Sequence, residues 1–135
     1  QQTGLPELHP PEKGSIIMLV ATDAPLDARQ LRRLSGRAAA GLARTGSFFG
    51  HGSGDIALAF STAYTVPALE HEPMPALALV HEQQLDGLFE AAAEATEQSI
   101  MSSLWSAQSV VGRDGHRRQA LRDVFDFSAE RGSSV

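Results

Sequence analysis

No cysteine occurs in the 135 residues, which excludes a disulfide framework, thiolate chemistry and any cysteine-based metal site. Positive charge is not in excess either. Eleven Lys and Arg face sixteen Asp and Glu, a net charge of −5, which argues against a nucleic-acid partner. No apolar run approaches the roughly 20 residues that span a bilayer, so no membrane partner is expected. Gln1 to Lys13 lacks the charged-then-apolar order of a signal peptide. A soluble chain is expected from this; a cytoplasmic location is favoured, and a periplasmic one stays open should a preceding segment carry a signal. His9, His51, His71, His81 and His116 have no partners at ligand spacing, so neither a metal nor another cofactor is expected.

What remains is one domain's worth of chain with 42% hydrophobic and 20% charged residues, enough to fold around a real core. The ordered pattern begins abruptly. Residues 1–14 hold three prolines and two glycines without periodicity and read as a tail or linker. Ser15 then stands directly before six apolar residues, Ile16 to Ala21. Such a short run, bounded by Gly14 and by Thr22-Asp23-Ala24-Pro25, predicts a strand buried on both faces. A serine pinned after a glycine at the start of a rigid strand could present a nucleophile. It could equally be nothing more than the first residue of that strand.

Asp27-Ala28-Arg29-Gln30 reads as a capping box, and Leu31, Leu34, Ala38 and Leu42 continue on one helical face towards a C-terminal Gly46. The arginines at 29, 32, 33, 37 and 44 are expected on the solvated side. A glycine-rich turn, Gly50-His51-Gly52-Ser53-Gly54-Asp55, leads into a second mostly apolar strand, Ile56 to Thr62. Three glycines in five residues let backbone amides approach an anion or an oxyanion closely. A phosphate-loop reading fails, because no Gly-Lys-Ser/Thr follows and the turn enters a strand. Ser53 and Asp55 are two apart, so in an extended backbone both point to one face. There they could polarise a nucleophile's hydrogen-bond network, or cap local amides in a solvent-exposed turn.

Residues 64–81 hold three prolines and read as an excursion, with a short strand over 77–80. The longest predicted helix runs from about Glu82 to Val111, with Leu85, Leu88, Phe89, Ala92, Thr96, Ile100, Leu104, Ala107 and Val111 recurring at helical spacing, Trp105 as a packing anchor and Gly112 as its end. A last short helix is expected around 119–127, then a polar tail, 128–135. Two doubly buried strands and two long helices are too few for a closed sheet, so the chain is expected to be part of a larger folded unit.

Several blocks in order resemble one family. Gly14-Ser15-Ile16-Ile17, Ala21 to Leu26, Gly41 to Ser47, Gly52-Ser53-Gly54-Asp55-Ile56, Ala59-Phe60-Ser61-Thr62, Leu88-Phe89-Glu90-Ala91, Ala93 to Glu97 and Gly112-Arg113-Asp114-Gly115 are similar to the small chain of the self-processing L-aminopeptidase/D-esterase family. That family includes D-Ala-esterase/amidases and β-peptidyl aminopeptidases. The resemblance implies an α/β fold, an αββα sandwich akin to the N-terminal-nucleophile hydrolases, with this chain as the C-terminal part of the unit. It implies self-cleavage between Gly14 and Ser15, with residues 1–14 as the end of the large chain and 15–127 as the small-chain catalytic part. Ser15 becomes the nucleophile, and Ser53 and Asp55 are its supporting serine and acid. Ser53 is expected to hydrogen-bond Ser15, and Asp55 to orient that network or receive the substrate's ammonium. The implied partners are the large chain of the same precursor, a small peptide, amide or ester substrate, and further copies in a homo-oligomer of paired chains. Acyl transfer of the ornithine acetyltransferase type and a non-catalytic interaction domain are the alternatives. His51 stands where relatives are expected to carry a small amide residue.

Overall fold

The structure, a computed structural model, describes residues 14–125. The N-terminal tail up to Lys13, the polar C-terminal tail and the end of the last predicted helix lie outside the described residues. The elements follow as β1 (Ile17–Thr22), α1 (Ala28–Arg44), β2 (Ile56–Ser61), a 3₁₀ turn (Glu82–Gln84), α2 (Leu85–Ser106), β3 (Val110–Val111), β4 (Arg117–Arg118) and α3 (Leu121–Val124). Two compact units divide within α2, after Glu97.

In the first unit β1 and β2 pair in parallel, from Ile17 opposite Ile56 to Thr22 opposite Ser61. A parallel pair needs a long crossover connection, and α1 supplies it. The start of α1 is built as expected. The Asp27 side chain accepts from the Gln30 amide at 2.7 Å while Gln30 Oε1 accepts from the Asp27 amide at 3.1 Å, closing the capping box. The end is also local. Thr45 caps the helix, and Gly46 follows with φ +99°, a left-handed conformation that glycine adopts without a Cβ clash.

The core lies where α1, α2 and one face of the sheet meet: Leu26, Leu34, Leu85, Phe89 and Ala92, with Val20, Leu31, Val80 and Leu88 packed on it. Full burial of a leucine such as Leu26 or Leu85 contributes about 1.5–3 kcal/mol, so this cluster dominates the unit's stability. Gln30 is buried among these side chains, and its amide is satisfied by Val80 O at 2.8 Å and Glu82 Oε1 at 3.1 Å. The helices approach closely at Gly41, where a Cβ would sit 2.3 Å from the Ala93 carbonyl oxygen and 2.8 Å from Thr96 Cβ. The arginines of α1 are less idle than a solvated face implies. Arg29 and Arg33 both pair with Glu82, whose carboxyl the Arg29 hydrogen bond holds below the usual carboxylate range. Arg33 and Arg37 also lie over the Phe89 ring, at 5.1 and 4.4 Å from its centroid.

Four expectations change. β1 and β2 are not covered on both faces: Ile17, Leu19, Leu58 and Ile56 are 71, 64, 54 and 50% exposed, and all lie on the face turned away from the helices. Among the described residues nothing packs there, so the structure is one helical layer on one face of a sheet. The predicted strand over 77–80 does not form. Val80 instead donates to Pro25 O at 3.0 Å and receives the Gln30 side chain, which ties the excursion to α1 rather than to a strand edge. The long helix stops at Ser106, five residues early. The β-branched Val110 and Val111 pair with Arg118 and Arg117 across a turn in which Asp114 and Gly115 have φ 58° and 74°, so Gly112 opens a hairpin and caps no helix. Trp105, expected as a packing anchor, is 48% exposed among the described residues.

Candidate active site

The site is a product of strand register. Parallel pairing places each residue of β1 beside the residue 39 positions later, and the ladder continues one step before the strands begin, with Ile56 N–H donating to Ile16 O at 2.9 Å. The same offset carries Ile16 beside Asp55 and Ser15 beside Gly54. Two segments 39 residues apart in sequence, Ser15-Ile16 and Gly54-Asp55, are thereby collected at the N-terminal ends of two adjacent strands.

Ser15 is exposed, whereas Ser53 and Asp55 are half-buried. Ser53 Oγ donates to Asp55 Oδ1 at 2.6 Å, and the Ile16 amide donates to the same oxygen at 3.2 Å. One carboxylate oxygen therefore holds both the serine hydroxyl beside it and the peptide that follows Ser15. A bond to an ionised acceptor is roughly twice as strong as a neutral one, so Asp55 is the hinge pin of this corner. The Gly54 amide donates to Ser15 Oγ at 3.0 Å. Upstream, Ser53 N–H closes the glycine-rich turn on Gly50 O at 2.9 Å, and the chain enters that turn through Phe49 with φ 58°, a strained conformation for a bulky residue.

Ser15, Ser53 and Asp55 are thus brought together, and both polar side chains of the Ser-Gly-Asp turn point to one face. The bond expected between Ser53 and Ser15 is not formed among the described residues. The Ser53 hydroxyl has turned to the carboxylate, a stronger acceptor, and a main-chain amide occupies Ser15 Oγ instead. Gly54 was not singled out in the sequence; the signal for it lay in the glycine-rich turn, where an amide without a shielding side chain can approach another group. His51 is exposed. No cluster of three or more His, Asp or Glu side chains able to hold a metal lies among the described residues. No helix there is long and apolar enough to cross a membrane.

Chemically, an exposed hydroxyl whose oxygen already accepts one hydrogen bond has its own proton free for a base and a lone pair free for attack. Such a hydroxyl is chemically capable of acyl transfer, and Asp55 holds the peptide that follows Ser15 through the Ile16 amide.

The chain is 41% identical over 111 residues to the β-peptidyl aminopeptidase BapA of Sphingosinicella microcystinivorans, a match covering 82% of this chain and 28% of that protein. Among solved structures, the PH0078 protein of Pyrococcus horikoshii superposes with a TM-score of 0.76 at 47% identity, covering 82% of this chain and 31% of that one. The L-aminopeptidase D-Ala-esterase/amidase of Ochrobactrum anthropi, described as a variant of the Ntn hydrolase fold, follows at a TM-score of 0.73 and 35% identity, covering 79% and 30%. The chain therefore spans less than a third of the length of these relatives, and over that part it shares their α/β fold. The model of peptidase family S58 matches residues 1–118, nearly the whole chain. The chain belongs to peptidase family S58.

Proposed function

We propose that the full-length protein cuts itself between Gly14 and Ser15 and then works as a serine aminopeptidase or amidase on small peptides, amides or esters. The observation that carries this reading is the exposed Ser15 hydroxyl, held by the Gly54 amide beside the Ser53–Asp55 pair. In self-cleavage, Ser15 Oγ attacks the Gly14 carbonyl carbon and the Gly14–Ser15 C–N bond breaks. The Gly14 acyl group is left as an ester on Oγ, and the Ser15 amine is free. Water then hydrolyses that ester. The new α-amine has an ordinary pKa of about 7.7–8, so near neutral pH it can take the Oγ proton and return it to a leaving group. Attack on a substrate carbonyl gives an acyl-enzyme on Ser15 and expels the amine or alcohol, and water clears the acyl group.

The partner in this reading is the preceding large chain. Its place is the bare sheet face, where Ile17 and Leu19 stand beside Ile56 and Leu58 with Phe60 at the edge. An apolar area of this kind is costly in water, and a second sheet packed about 10 Å away would bury it, completing an αββα sandwich. Assembly of several such paired chains belongs to the same proposal.

The direct test is the intact mass of the full-length precursor with N-terminal sequencing of any small fragment. A fragment beginning Ser15-Ile16-Ile17, together with release of aniline from an amino-acid anilide, is the expected result. A single uncut chain inert towards the anilide overturns the reading in favour of an interaction domain. Asp55→Asn should keep the fold, because the amide oxygen still accepts from Ser53 and Ile16, while the loss of charge weakens both bonds. Processing and turnover are expected to fall about 10- to 100-fold, the scale of a hydrogen bond to a charged group. Unchanged rates would remove Asp55 from the site.

A further inference from the structure

The Gly54 amide has no chemical step in the function proposed above, where it only holds the Ser15 hydroxyl. We infer that it is the donor that takes up negative charge on Ser15 Oγ when ester bonds to that oxygen break. This rests on the proposed nucleophile and deepens it. Three observations support it. The bond is of ordinary length, 3.0 Å, and links the proposed nucleophilic oxygen to a main-chain donor, which has no rotamer of its own. It is built by the ladder: the offset of 39 residues that pairs β1 with β2 also puts Gly54 against Ser15. Asp55, the next residue, anchors the Ile16 amide, so the backbones on both sides of the bond are tied together.

The timing follows from the chemistry. During attack, a donor on Oγ lowers the oxygen's basicity as much as it stabilises the alkoxide, and the two effects oppose each other. Once Oγ is an ester oxygen it is a poor acceptor, and the bond weakens. When water adds to the acyl carbon and the tetrahedral intermediate collapses, the C–Oγ bond breaks and Oγ leaves with the electron pair. It regains a proton from the α-ammonium that had accepted one from the water. The amide bond is strongest at that moment. Both ester-cleaving steps, release of the Gly14 carboxylate after the N→O shift and deacylation in turnover, use this donor.

Steric need does not explain the glycine. Its φ lies outside the left-handed region, and a Cβ there would meet Ser15 Oγ at 3.5 Å, ordinary contact. Gly54→Ala therefore keeps the donor and the space. Replacing residue 54 by glycolic acid through nonsense suppression in the full-length precursor exchanges the N–H for an ester oxygen and adds no atom; Gly54→Pro also removes the N–H. The readout is the pre-steady-state burst with an activated ester substrate and the hydroxylamine-sensitive ester at Gly14–Ser15 in the precursor.

In either folded variant lacking the N–H, deacylation is expected to slow roughly 10- to 100-fold, with a larger burst and an accumulated precursor ester, while acylation changes much less. Gly54→Ala is expected within about threefold of wild type, since its donor remains. A folded N–H-deleted variant with the wild-type partition between acylation and deacylation overturns the inference, as does a Gly54→Ala variant that stalls in the same way. A wild-type precursor that neither cuts nor turns over overturns the proposed function itself, which separates the two failures.

Discussion

Ser15→Ala is expected to leave the precursor as one uncut chain and to lower anilide hydrolysis by roughly 10⁴-fold or more, the scale on which removal of a serine nucleophile acts. The structural cost is small by comparison. Ser15 is exposed, and among the described residues its side chain makes one hydrogen bond, from the Gly54 amide. Losing it costs about 0.5–1.5 kcal/mol at most, and water can reach the freed amide. The Ser53–Asp55 bond and the Asp55 contact to the Ile16 amide involve only groups that alanine at 15 leaves in place. Chemistry should therefore collapse while the fold survives. Intact mass, hydrolysis of the anilide and thermal unfolding measured on one preparation check all three parts. Full processing in this variant would remove Ser15 as the attacking group.

The second large effect concerns stability alone. α1 carries two glycines, and substitution of each should act in opposite directions. Around Gly36 nothing lies within 4 Å of an added Cβ, so Gly36→Ala is expected to stabilise by up to about 1 kcal/mol through helix propensity. At Gly41 the same Cβ would overlap the Ala93 carbonyl oxygen at 2.3 Å and approach Thr96 Cβ at 2.8 Å. Backbone cannot swing aside like the end of a flexible side chain, so the helices must separate. Overpacking of this kind costs about 1–3 kcal/mol or more, which outweighs the propensity gain. Thermal unfolding of the full-length protein should show Gly41→Ala melting below wild type and Gly36→Ala at or above it. Equal midpoints would show that the α1–α2 approach is looser than this geometry.

Legibility in the sequence divides along the same line as the physics. α1 was readable from Asp27 to Gly46 because its capping box, apolar face and C-terminal glycine are all contacts within a few residues. The cores of β1 and β2 were readable as short apolar runs bounded by turn residues. The candidate site was readable in its parts: a serine opening one strand, and a serine and an aspartate two apart before another. The end of α2 was misread because apolar residues continue at helical spacing past Ser106. The β-branched Val110 and Val111 and the Asp114-Gly115 turn favour the hairpin that forms instead.

The sequence by itself determined α1 with its two caps, the two central strands, the family blocks and the residues available for chemistry, because each depends on neighbours close along the chain. The tertiary structure alone decided which groups meet. A parallel register with an offset of 39 residues has no local signature, yet it selects Gly54 rather than Ser53 as the partner of Ser15 Oγ. It also aligns Ile17, Leu19, Ile56 and Leu58 on one bare face. A strand's period of two says only that alternate residues share a side; which side the helices cover is settled by packing between distant segments.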